Sequence, residues 1–209
     1  ETGFRILEST GNGHAEIPPD FFLCDDCLAE LTDPENRRCG YFFLTCTLCG
    51  PRFTIAESGP YDRATTTMRD FAMCPDCQKE YEDPSDRRFH AQTIACPACG
   101  PKLTLYEYGK PLDLPNDTEK LRYVSRTFQK NEIVAIKGTG GFHLFCDTRD
   151  KTIRKLDTLT GRHRKPYAVL CRDIVMARGI AMLAPEEERR LLSPERPIVL
   201  ARKNAHSPD

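Results

Sequence analysis

From residue 114 onward the apolar positions follow the periods of regular structure. Leu121, Val124 and Phe128 recur at helical spacing behind Asn116 or Asp117 as a cap and ahead of Asn131 as a stop, which predicts a helix. The run from Ile133 to Ile136 reads as a buried strand, and Phe142 to Cys146 as a second apolar stretch. Further on, Ile153 to Leu159 reads as helix, Tyr167 to Leu170 as strand, Ile174 to Leu183 as helix and Pro197 to Ala201 as strand. Such alternation predicts an α/β domain. Before residue 114 the apolar residues come in short groups such as Phe42, Phe43 and Leu44, or singly as Ile94, among closely spaced cysteines. They are expected to pack around whatever the cysteines hold.

Composition narrows the class. With 209 residues, 39% of them hydrophobic, the chain can bury a core either as one domain or as two or three small units. Its 11 cysteines would suggest a disulfide framework in a secreted protein and metal binding in a cytosolic one. No stretch approaches the roughly 18 apolar residues of a membrane span, and no basic-then-apolar signal segment opens the chain. A cytoplasmic protein without membrane contact is therefore expected. Glu1 in place of Met suggests a fragment or a processed chain. The formal charge of −1 hides a split, because residues 1–110 carry −7 and residues 111–209 carry +6. Two regions with different partners are implied.

Eight cysteines form four C-x-x-C pairs: Cys24/Cys27, Cys46/Cys49, Cys74/Cys77 and Cys96/Cys99. Within each half 18 residues separate the pairs, and adding 50 to any cysteine of the first set gives one of the second. Asp26, Glu30, Asp33, Pro34, Arg37, Arg38, Gly50, Pro51 and Thr54 recur in the same way as Asp76, Glu80, Asp83, Pro84, Arg87, Arg88, Gly100, Pro101 and Thr104. This is an internal duplication. A two-residue gap lets a tight turn aim two sulfurs at one point, and two such turns complete a tetrahedron of thiolates around Zn²⁺. A redox C-x-x-C normally stands alone beside a β-α-β unit, and cysteines at this spacing rarely build a disulfide framework. Spacing alone permits interleaved pairing, but duplication favours each copy closing its own four-cysteine site. With no open coordination position, both zinc ions are expected to be structural.

Other residues near the modules read as support. Cys39, whose counterpart is Phe89, is expected to be a small buried residue, and His90 is left outside the ligand set. The paired arginines Arg37/Arg38 and Arg87/Arg88 are expected to meet nearby acids or to screen the thiolates. Direct DNA or RNA binding is disfavoured, because it draws on a basic face and this half is acidic before any thiolate is counted.

In the second half, Lys137-Gly-Thr-Gly-Gly141 follows the first expected strand. A glycine cluster there can cradle a phosphate, but it matches neither a Walker loop nor a dinucleotide fingerprint, and a tight turn is the plainer reading. Lys137, Arg162 and Lys165 are candidate cations for an anionic ligand. His143 is expected in the core, and Cys146 and Cys171 as buried, inert thiols.

The motifs Cys46-Thr-Leu-Cys-Gly-Pro-Arg-Phe53, Cys74-Pro-Asp-Cys77, Asp86-Arg-Arg-Phe-His-Ala-Gln92 and Cys96-Pro-Ala-Cys-Gly-Pro101 resemble the hydrogenase-maturation carbamoyltransferases, the HypF family. Ile133-Val-Ala-Ile-Lys-Gly-Thr-Gly-Gly-Phe-His-Leu144 with Cys146-Asp147, Lys165-Pro-Tyr-Ala-Val169 and Ser193-Pro-Glu-Arg-Pro-Ile-Val199 are similar to the opening half of that family's YrdC-like domain. The resemblance implies an α/β YrdC-like partial domain (111–209) preceded by two tandem small four-cysteine modules (20–56 and 70–110) of zinc-ribbon-like form. Residues 57–69 would link them, and residues 1–19 would follow an acylphosphatase domain lying outside this sequence.

It also implies a chemistry. Family members hydrolyse carbamoyl phosphate, adenylate carbamate with ATP and Mg²⁺, and pass the carbamoyl group to a cysteine of a partner, HypE, for the cyanide of the [NiFe] centre. By this resemblance Lys137, Arg162 and Lys165 face the nucleotide or acyl phosphate. One departure stands out: the family's basic run R-x-R-K-x-R-P-x-K-P reads here Asp157-Thr-Leu-Thr-Gly-Arg-His-Arg-Lys-Pro166. Three basic positions have become Asp157, Leu159 and Thr160, which should weaken triphosphate binding. Two functions are carried forward: part of a carbamoyltransferase, incomplete as an enzyme by itself, or a non-catalytic zinc-binding interaction module.

Overall fold

The computed structural model describes residues 16–162 and 166–204. Each module opens on a short helix, α1 (Asp25–Thr32) and α2 (Pro75–Glu82). Cys24 and Cys74 are the N-caps of these helices, so the first C-x-x-C pair of each copy sits on a helix N-terminus, where backbone dipoles favour negative charge. After each helix the repeated motif makes two successive side-chain turns. Asp33 Oδ1 accepts from Glu35 N at 3.0 Å and Asn36 Oδ1 from Arg38 N at 2.9 Å; in the second copy Asp83 Oδ1 accepts from Ser85 N at 2.9 Å and Asp86 Oδ1 from Arg88 N at 2.7 Å. These Asx turns fix where the arginines leave the chain. The loops then turn through left-handed backbone at Gly40 (φ 68°) and at its counterpart His90 (φ 54°).

Glycine recurs in Cys-Gly-Pro for want of space. A Cβ on Gly50, already at φ 99°, would lie 2.5 Å from Thr45 Cγ2, and one on Gly100 would lie 2.5 Å from Ala95 Cβ. Tyr41 closes the seam between the copies, its hydroxyl donating to Pro101 O at 3.0 Å.

The segment between the modules is packed. It forms two 3₁₀ turns, Arg63–Thr65 and Thr67–Asp70, that carry Met68 into the first module's core beside Leu44 and Ile55. From the same segment Arg63 reaches the second module, donating to Gln92 O at 2.9 Å, Ile94 O at 3.0 Å and Phe71 O at 2.6 Å. Met68→Ala should therefore destabilise the fold by about 2–5 kcal/mol, as deletion of a fully buried side chain does. Urea titration with metal at saturation measures this, and a change below about 1 kcal/mol would contradict the core role.

A two-stranded ribbon, β1 (Tyr106–Glu107) with β2 (Lys110–Pro111), leads to α3 (Asp117–Gln129). Asn116 caps this helix as expected, its side chain accepting from Glu119 N at 3.0 Å. Next comes an antiparallel hairpin, β3 (Val134–Lys137) with β4 (Phe142–Phe145), in the register Val134↔Phe145 to Lys137↔Phe142. The glycine cluster is the turn of this hairpin, closed by Gly138 N donating to Gly141 O at 2.8 Å. After it come α4 (Asp150–Thr160), α5 (Ile174–Ile180), β5 (Ala181–Met182), α6 (Pro185–Leu192) and β6 (Arg202–Lys203), the last pairing with β5.

The strand expected to be buried, Ile133 to Ile136, is only partly covered: Ile133 and Val134 are half-buried, and Ala135 and Ile136 are exposed, as are Phe142 and Leu144 on β4. An apolar run marks a strand, but burial needs a covering layer on each face, and the hairpin has α3 against it and no further strand among the described residues. For the same reason His143 is exposed instead of lying in the core. Cys146 and Cys171 are half-buried, not buried. Cys39 is exposed, because the inward position beside it belongs to Arg38. Tyr167 to Leu170 forms no strand, the helix from Ile174 stops at Ile180, and pairing near Pro197 to Ala201 begins only at Arg202.

Candidate metal centres

Each copy gathers its own four sulfurs. Sγ atoms of Cys24, Cys27, Cys46 and Cys49 lie within 4.8 Å of one another, and so do those of Cys74, Cys77, Cys96 and Cys99. In the first group the close approaches are Cys24–Cys46 at 3.6 Å, Cys46–Cys49 at 3.7 Å and Cys27–Cys49 at 3.5 Å. In the second, Cys74–Cys96 and Cys96–Cys99 are 3.7 Å apart and Cys77–Cys99 3.6 Å. A tetrahedron with Zn–S bonds of about 2.3 Å has edges of about 3.8 Å, so both sets match the donor geometry of zinc. His90 belongs to neither set; its ring lies against Tyr81 and Phe89, with centroids 4.8 and 4.5 Å away.

Without a metal the clustered thiols do not all favour the anion: Cys46 and Cys74 are held low while Cys27, Cys49 and Cys77 are pushed up. Hydrogen bonding to Cys46 and Cys49, together with burial, pushes the Cys27 thiol up, and burial pushes Cys77 up to about 12 against the pull of Arg37. A divalent cation reverses that order by ionising every thiol it coordinates.

The arginines reach the opposite module. Arg37 Nη2, from the first copy, donates to Cys77 Sγ at 3.4 Å and Glu80 Oε1 at 2.7 Å in the second. Arg38 sits beneath it, 2% exposed, with Nε on Ala95 O at 2.8 Å and Nη2 on Glu80 Oε2 at 2.5 Å and on Cys77 Sγ at 3.5 Å. The second copy returns these contacts, except that among the described residues no Arg88 bond to sulfur matches that of Arg38. Arg87 Nη2 donates to both Cys24 Sγ and Cys27 Sγ at 3.2 Å, and its Nη1 to Glu30 Oε1 at 2.6 Å. Arg88 Nε donates to Thr45 O at 3.0 Å while its Nη2 binds Glu30 Oε2.

Helical spacing explains the acceptors. Glu30 and Glu80 follow Cys27 and Cys77 by three residues, one turn on, so carboxylate and sulfur share a face. One guanidinium fork can then engage both. Burial alone would raise the Glu80 carboxyl, but the Arg38 and Arg37 hydrogen bonds outweigh it and hold it below the usual carboxylate range. The arginines thus meet acids and cysteine sulfurs together, as the acidity of this half suggested. That they do so across the copies was not legible, since contacts within or between copies leave the same residues repeating at +50.

The candidate cations of the second half are less closely joined. Lys137 is exposed at the end of β3, and the Arg162 guanidinium lies 5.5 Å from the Tyr167 ring centroid. Lys137 and Arg162 share no hydrogen-bond or ion-pair partner among the described residues, and Lys165 lies outside those residues. The first module does touch the glycine turn: the hydroxyls of Thr54 and Thr139 are 3.1 Å apart. Among the described residues no helix is long and apolar enough to cross a membrane.

Comparison with known proteins agrees with this architecture. The HypF finger model matches residues 23–56 and again 73–106, and the Sua5–YciO–YrdC model, described as telomere recombination, matches residues 126–209. Carbamoyltransferase HypF2 of Cupriavidus necator is 47% identical over 208 residues, covering 97% of this chain and 25% of that protein. Carbamoyltransferase HypF of Rhizobium leguminosarum is 53% identical over 204 residues, with the same coverages of 97% and 25%. Among solved structures, T. kodakarensis HypF superposes with a TM-score of 0.87 at 46% identity, over 93% of this chain and 25% of that one. A full-length HypF in its phosphate- and nucleotide-bound form gives 0.85 at 45% identity, over 92% and 25%. With two HypF fingers, two four-cysteine sites compatible with zinc and a YrdC-like region in one order, the chain belongs to the HypF carbamoyltransferase family and spans about a quarter of the length of the relatives it matches.

Proposed function

We propose that this chain is the zinc-bearing and nucleotide-facing part of a cytoplasmic carbamoyltransferase. Cys24, Cys27, Cys46 and Cys49 hold one Zn²⁺ and Cys74, Cys77, Cys96 and Cys99 the other. Both ions are structural, because four thiolates leave no coordination position for substrate. The observation that carries the reading is identity of 47–53% over 97% of the chain with proteins named carbamoyltransferases. In the longer protein, carbamoyl phosphate is hydrolysed to carbamate and phosphate, carbamate displaces pyrophosphate from ATP to give carbamoyl-adenylate, and the carbamoyl group passes to a cysteine of a HypE-like acceptor with release of AMP. Lys137, Arg162 and Lys165 are the cations assigned to the nucleotide or acyl phosphate. The modules brace that region: besides the Thr54–Thr139 contact, Phe22 N donates to Pro194 O at 2.7 Å and Lys120 Nζ to Leu103 O at 2.7 Å.

A second reading, a zinc-bearing scaffold without nucleotide chemistry, is favoured by the altered basic run. Asp157 there has a local role, its Oδ1 accepting from the Tyr167 hydroxyl at 2.7 Å. Two measurements decide. Metal analysis of the purified chain should give two zinc ions per molecule, and a clearly lower content removes the metal assignment. Calorimetry with ATP and carbamoyl phosphate, on this chain and on a protein of the relatives' length, should show ATP binding to the longer form. A longer form that binds no ATP leaves the scaffold reading in its place.

A further inference from the structure

We propose that the two metal sites are thermodynamically coupled, filling of either one raising the affinity of the other, through the arginines Arg37, Arg38 and Arg87 that each module places on its neighbour's sulfurs. The inference rests on the reading of both tetrads as zinc sites. Its basis is where each arginine is anchored and where it points. Arg37 and Arg38 lie in the loop between Cys27 and Cys46, whose two ends a metal in the first site ties together, but their N–H groups end on Cys77 and Glu80 of the second. Arg87 and Arg88 lie between Cys77 and Cys96, and Arg87 Nη2 ends on Cys24 and Cys27.

One Zn²⁺ with four thiolates carries a net charge of about −2, so cations against the sulfurs stabilise the loaded state. Ordering of one loop by its own metal therefore completes the electrostatic surroundings of the other metal. The coupling runs in both directions, because linkage requires that two sites affect each other equally. Glu30 and Glu80 make it specific. Each holds an arginine pair from the opposite copy so that the fork meets the sulfurs, as outer-shell groups do at other metal centres.

The test is a titration of the metal-free 209-residue chain with Cd²⁺ against a competing chelator, followed by cadmium NMR with one resonance per site. In the unaltered chain the two resonances should grow together. Arg87→Gln is the informative variant. Its residue lies in the loop that the second metal closes but bonds Cys24 and Cys27, so the first site should lose about 10–100-fold in affinity and filling of the second site should then alter the first much less than in the unaltered chain. Cys24→Ser with Cys27→Ser, which disables the first site, should weaken the second by a similar factor. Resonances that grow independently, or an Arg87→Gln chain whose first site changes by less than about twofold, overturn the coupling while leaving the zinc assignment standing. A chain that binds metal at neither tetrad overturns the zinc assignment itself.

Discussion

Complete removal of metal should unfold residues 20–105, with loss of hydrogen-exchange protection at the Leu44 and Ile94 amides. Of the eight buried residues in the first apolar cluster three are cysteines, and of the four in the second two are. What remains is too little apolar surface to order two modules of about 40 residues each, since units of that size are marginal without a metal or a disulfide. A structural zinc contributes about 10–16 kcal/mol near neutral pH, more than the whole stability of many small domains. Chelation followed by hydrogen exchange or proteolysis reads this directly. Modules that stayed protected with no metal bound would show that the sulfurs are not what holds them.

Arg38→Ala should destabilise the fold by about 3–5 kcal/mol. Arg38 is buried and bonded at once to a carbonyl, a carboxylate and a sulfur of the other module, so its loss leaves Ala95 O without its partner and Glu80 less than fully compensated. Arg122 offers the contrast. It pairs with Glu119 one helical turn away, at side-chain exposures of 52% and 40%, and Arg122→Ala should change stability by less than about 0.5 kcal/mol. Urea unfolding of the metal-saturated variants compares the two, and similar small shifts for both would deny the inter-module fork its structural weight.

The parts of this fold that were legible in the sequence rest on local rules. Cysteines repeating at +50 identified two tetrads because a metal site is specified by ligand type and spacing. The helix from Asp117 to Gln129 was visible because its cap and its apolar stripe agree. What escaped depends on neighbours far along the chain. Whether Arg37 pairs with Glu30 or with Glu80 is undecidable from a repeat, since either choice satisfies the charges. Apolarity marked Ile133 to Ile136 as strand but could not say how much of it would be covered. Cys39 was expected to be buried and is exposed, because the inward place beside it is taken by Arg38, whose guanidinium finds three kinds of acceptor there.

The reciprocity of the arginine contacts has a consequence for how such a pair of modules can arise. If residue i of one copy touches residue j of the other, and j of the first touches i of the second, the contact is isologous, the form found between the halves of a twofold symmetric dimer. Arg37 on Glu80 with Arg87 on Glu30 is such a pair, and Arg38 on Ala95 O with Arg88 on Thr45 O is another. A single module therefore contains both sides of its own interface. Joining two copies in one chain adds proximity to a contact the lone unit already specifies. Only later differences, such as Tyr41 opposite the position of Ala91 and Thr45 opposite that of Ala95, make the first copy distinguishable from the second.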